Sequence, residues 1–170
     1  MKNTSLKITV FLSIFLNIVL IVLFVNRSIE IHTSYSTGDP GAYRNFVSSL
    51  GIYEKYLENA AQQSASNEIM NSLVNGNERL KRSINSFAEF RNSLNETNLN
   101  TQYIEVALAE IDEITSRLLA NYSIKSYQVD AEISHLKNSV NRMLNLLPKQ
   151  YDVDNQQEFI KTINTLSGSN

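Results

Sequence analysis

The chain has no cysteine and no tryptophan, and among its 170 residues are only two prolines, five glycines and two histidines. Without cysteine there is no disulfide, no thiolate nucleophile and no thiolate metal site, so any domain must hold itself together by packing alone. The glycines (Gly38, Gly41, Gly51, Gly76 and Gly168) fit neither the dinucleotide-binding nor the P-loop pattern, and there is no Gly-x-Ser-x-Gly elbow. Proline occurs only at 40 and 148 and leaves long stretches free to be helical. No stretch alternates apolar and polar residues with period two, so no sheet is expected and the fold class read from the sequence is all-α.

An excess of basic charge is also missing. Three of the fifteen cations (Lys2, Lys7 and Arg27) lie at the very start, so the remainder carries twelve cations against seventeen acids, a net −5. Phosphate binding needs a basic face, and Arg79, Lys81 and Arg82 are the one basic cluster, so nucleic acid is not expected as a partner. Metal chemistry is poorly provided for. Glu132 and His135 have the i, i+3 spacing of helix-bundle di-iron sites, with Glu110, Asp112 and Glu113 on a helix that can face them. Such sites need a second Glu-x-x-His pair, and the other histidine, His32, lies far off in the sequence. No metal, no cofactor and no catalytic residue is expected, and the chain is read as a non-enzyme.

One long hydrophobic run is present. Residues 8–25 (ITVFLSIFLNIVLIVLFV) are eighteen residues without a charge, bounded by Lys7 and followed by Arg27. As a helix they extend about 27 Å, close to the hydrocarbon thickness of a bilayer. A cleaved secretory signal has a shorter apolar core and a small-x-small site, and the residues after Val25 offer none, so the run reads as an uncleaved signal anchor. Lys2 and Lys7 keep the short residues 1–7 cytoplasmic and direct the chain beyond the run to the other side, which places the protein in a cell membrane, with a composition that suits a bacterial envelope. Residues 26–39 read as a juxtamembrane connector.

Beyond it the hydrophobic period becomes helical. Asp39 and Pro40 form a helix start, and Tyr43, Phe46, Leu50, Tyr53, Leu57 and Ala60 recur at steps of three and four, predicting a helix over about 40–63. Carrying that register forward would bury Asn67, Asn71, Glu78, Lys81 and Asn85, so a turn is placed at 62–67. A second helix over 67–94 comes next, with Met70, Leu73, Leu80, Ile84, Phe87 and Leu94 inward and Gly76, Asn77 and Arg91 as its weak points. Residues 95–100 read as another turn. A third stripe (Ile104, Leu108, Ile111, Leu118, Tyr122) and a fourth (Val129, Ile133, Leu136, Val140, Met143, Leu147) share one phase, yet residues 121–127 favour a turn. Asp154 and Gln157 form a capping box for a short fifth helix carrying Phe159, Ile160, Ile163 and Leu166, and 167–170 read as a frayed tail.

These features predict an extracytoplasmic antiparallel helical bundle over 40–166, tethered to the lipid bilayer through residues 8–25. The alternative fold is a three-helix or coiled-coil hairpin with one long helix over 101–147. That alternative would leave Val129, Ile133, Leu136, Val140 and Leu147 as an open face for a homodimer or an envelope protein. Tyr43, Phe46, Tyr53 and Tyr122 are the candidates for an aromatic-lined pocket. The expected role is a protein-interaction or scaffold module in the cell envelope; the alternative role is a ligand-sensing bundle that signals through a membrane partner.

Overall fold

The computed structural model describes residues 38–94, 99–122 and 129–167. The described residues form five helices, all within the compact unit Thr37–Asn170. They are α1 (Pro40–Gln62), α2 (Ser66–Ser93), α3 (Gln102–Asn121), α4 (Val129–Leu146) and α5 (Gln156–Ser167), the last preceded by a 3-10 turn, Val153–Asn155. There is no strand among the described residues, and none of their helices is long and apolar enough to cross a membrane. The expected span at 8–25 and its connector up to residue 37 lie outside the described residues, as do the tail residues 168–170.

Side chains take over unpaired backbone groups at the start of α1 and at the 3-10 turn before α5. Asp39 accepts from the amides of Gly41 at 2.7 Å and Ala42 at 3.2 Å, while Pro40 occupies the first helical position, where no N–H is needed. The Asp39 amide donates to Ser93 Oγ at 2.7 Å, and that hydroxyl donates to Phe90 O at 2.6 Å, so the start of α1 is tied to the end of α2. Gly38 stands here with φ +78°, buried; a Cβ would lie 2.7 Å from Leu94 Cδ2 and 2.8 Å from Tyr151 Oη. The left-handed backbone and the lack of room both require glycine.

The connection from α1 to α2 occupies Gln63 to Ala65, inside the turn predicted at 62–67. The register break is real: Asn67, Asn71, Glu78, Lys81 and Asn85 are all exposed. Helix α5 departs from expectation at its start. The 3-10 turn precedes it, and Asp152, not Asp154, is the capping residue, accepting from the Asp154 amide at 3.0 Å and from Asn155 Nδ2 at 3.0 Å.

The four long helices form an antiparallel ring. Helix α1 packs on α2 and α4, and α3 packs on the other sides of the same two helices. Tyr43 near the start of α1 donates to Pro148 O just past α4 at 2.7 Å, and Glu58 near the end of α1 is 3.2 Å from Lys137 of α4. Arg91 at the end of α2 meets Glu105 at the start of α3 at 2.6 Å, and Tyr122 at the end of α3 donates to Ser66 O at the start of α2 at 3.0 Å.

The long-helix alternative is corrected by Arg117 and Glu132, which lie 4.0 Å apart. In one continuous helix their fifteen-residue separation would set them about 22 Å apart along the axis. The chain therefore reverses between α3 and α4, as the turn-favouring composition of 121–127 suggests. Arg117, four residues from Glu113, pairs across to the neighbouring helix instead of along its own.

Candidate functional site: the groove between α3 and α4

The face expected to be open is the inside of the bundle. Val129, Ile133, Leu136, Val140 and Leu147 are all buried, three of them with no exposed surface, because the chain's own helices cover the stripe once α4 folds back. It offers no face to a partner.

The four aromatic candidates are not gathered around one space. Tyr43 and Phe46 belong to a packed aromatic end. The Tyr43 ring lies 4.9 Å from Phe90 and 5.0 Å from Phe159, Phe90 and Phe159 are each 4.9 Å from Tyr151, and Phe46 is 4.9 Å from Phe87. Centroid distances of this size are ring-to-ring contact, so the rings fill the space that they enclose. Helix α5 closes this end, with Phe159 and Ile163 buried and Asn164 accepting from the Asn100 amide at 2.7 Å.

Tyr53 lies elsewhere in the core. Its hydroxyl is 2.5 Å from Thr115 Oγ1, and Thr115 donates to Ile111 O at 2.7 Å, so Tyr53 is the donor of the pair. This buried polar chain crosses from α1 to α3 and fixes their register without leaving an unpaired group. Burial pushes the Tyr53 hydroxyl up to about 12, the Thr115 bond opposes the rise, and the charge of Asp112 adds to it. Burial likewise raises Tyr43 far above the ordinary phenol range. Tyr122, half-buried, sits at the opposite end of the bundle on α2.

The acidic residues weighed as ligands serve as ion-pair partners or face solvent. Asp112 lies 2.6 Å from Lys81, Glu132 faces Arg117, and His135 is exposed. No cluster of three or more metal-ligating side chains exists among the described residues. Glu105 is held below the usual carboxylate range by the Thr101 hydroxyl, which donates to it at 2.6 Å, and then by the Arg91 guanidinium.

A groove of about 530 Å³ runs along the seam of α3 and α4. Tyr103, Val106, Ala107 and Glu110 succeed each other on α3 at steps of three, one and three, which sets them on a single stripe beside the buried one. Ser139 and Arg142 of α4 form the facing wall, and the buried Ile111 and Met143 form the floor. Val106 is 59% exposed, more than any other large hydrophobic residue among those described, and Leu146, one turn beyond Arg142, is 37% exposed.

No family model, curated protein or solved structure matches this chain.

Sequence reasoning passed over this groove because it followed the strongest stripe of each helix. The signal was a second, weaker stripe on α3, with Val106 apolar at a position that the main periodicity assigns to solvent.

Proposed function

We propose that the chain is a single-pass, membrane-anchored module whose helical bundle stands outside the cytoplasm of a bacterial cell and acts in the envelope by binding protein, with the α3–α4 groove as its contact surface. Membrane attachment rests on the uncharged run at 8–25 and orientation on Lys2 and Lys7. The contact role rests on one observation above all: Val106, Tyr103 and Ala107 form an apolar strip beside an open groove rimmed by Glu110 and Arg142. Apolar strips rimmed by charge are the usual anatomy of a protein contact surface. The ligand-sensing alternative draws no support from Tyr43 and Phe46, whose rings are packed against their neighbours.

Topology provides the test. Alkaline phosphatase fused after Asn170 becomes active only outside the cytoplasm, and the expected result is an active fusion whose mature protein retains the segment before residue 8. An inactive fusion would reverse the orientation, and a mature terminus near residue 30 would replace the anchor with a cleaved signal.

A further inference from the structure

We infer that the occupant of the α3–α4 groove is the same groove of a second copy, in a parallel two-fold dimer in which Glu110 of each copy pairs with Arg142 of the other. The inference rests on the contact role proposed above and names its partner.

Charge selects the partner. Glu110 and Arg142 stand on facing walls of the groove, one acid and one base, and neither forms an ion pair among the described residues. A groove built for an acidic or a basic segment would carry charge of one sign. A groove with one of each is complementary to itself, and a two-fold axis makes both pairs at once and closes the assembly.

Geometry selects the parallel arrangement. The antiparallel register fixed by Arg117 and Glu132 sets Arg142 about three residues from the level of Glu110, an axial offset of about 4.5 Å. With the two-fold axis along the helices, α3 of one copy faces α4 of the other at equal height. The same offset then separates each acid from its partner base, within reach of two long side chains. An axis across the helices would set α3 against α3 and lose the pairing. The parallel form also leaves both α1 starting points at the same end, as two chains anchored in one membrane require.

The area is modest but sufficient. Helix α3 has 20 residues and is about 30 Å long. Two helices side by side present a face about 20 Å wide, or about 600 Å² per copy. The total of about 1,200 Å² is at the lower edge of stable interfaces, and anchoring both copies in one membrane raises their effective concentration. Val106 sits on this face and would lose its exposure on pairing.

The full chain in detergent micelles, examined by sedimentation across micromolar concentrations, tests the proposal. A reversible dimer is expected. Glu110→Arg and Arg142→Glu should each weaken it about tenfold or more, and the double reversal should restore it to within about threefold of the parent. Both residues are exposed, so unchanged helical circular dichroism verifies the fold of each variant. A monomer throughout, a dimer indifferent to the single reversals, or a double reversal that fails to restore it would each overturn the proposal. None of these results depends on which side of the membrane the bundle occupies, so a failed dimer and a failed topology are separate outcomes.

Discussion

In the α1–α2 hairpin the seam is made of small residues: Gly76, Ser49, Ser83 and Ser86 are buried in it or beside it, and Ser83 reaches the backbone of α1 directly, donating to Phe46 O at 2.9 Å. A Cβ on Gly76 would stand 3.1 Å from Tyr56 Cβ, so the two backbones approach as closely as a bare glycine allows. In the α3–α4 hairpin the buried, larger Ile111 and Met143 line the seam, and the space outside them stays open as a groove. Side-chain size at the contact sets the interaxial distance of packed helices, and within one bundle it has produced a closed seam and an open one. The closed seam fixes the scaffold; the open one leaves apolar surface that can be covered by another molecule.

Truncation should separate the two seams most clearly. Leu80 lies on the buried face of α2, one turn from both Gly76 and Ser83, and Ile111 forms the floor of the groove. Buried large-to-small changes cost about 2 to 5 kcal/mol, the higher values belonging to sites that cannot collapse. In urea unfolding of residues 37–170, Leu80→Ala should fall at the upper end of that range and Ile111→Ala at the lower, because the side chains around the groove have room to move in. Equal losses would mean that the two seams are equally rigid.

The sequence revealed the helices and much of the core, because long steps of three and four with a capped start at Asp39 admit no other reading. It also revealed the break between α1 and α2, since five polar residues on a buried stripe would cost more than packing returns. It misjudged Gly76. Glycine is the poorest ordinary helix former, and a weak point is what propensity alone predicts; the gain from close approach depends on Tyr53 and Tyr56 of another helix, which no local window contains. Ser83 and Ser86 were hidden for the same reason, and with them Phe90, which continues the face that they open. The choice between one helix and two at 121–127 was undecidable from phase alone. Only the partner across the turn, Glu132 beside Arg117, decides it.

Crowding the tight seam is a smaller perturbation than emptying a core. Gly76→Val should destabilise residues 37–170 by about 1 to 3 kcal/mol, the usual cost of overpacking, since the added methyls must displace the body of Tyr56 as well as the ring of Tyr53. Thermal unfolding checks it. A neutral result would show that α1 and α2 separate easily, and the contrast with α3 and α4 would lose its physical basis.

The smallest effect concerns the polar chain that joins a helix of the closed seam to one of the open seam. Tyr53→Phe removes the donor to Thr115 while Thr115 keeps its bond to Ile111 O, so the loss near neutral pH should be about 0.5 to 1.5 kcal/mol. Its signature lies in the alkaline range. The Tyr53 hydroxyl ionises near 10 in the unfolded chain but only near 12 in the folded one, so between those values the unfolded state has released a proton that the native state still holds. Stability supplied by keeping this phenol neutral is therefore complete below pH 10 and lost as pH rises toward 12. The parent should weaken more steeply than Tyr53→Phe across that window, with the lysines and Tyr43 contributing equally to both proteins. Urea unfolding of the pair at pH 9, 10 and 11 measures the difference in slope. Parallel curves would mean that water reaches the Tyr53 hydroxyl from the open side, and that the groove between α3 and α4 extends deeper into the bundle than its floor of Ile111 and Met143 suggests.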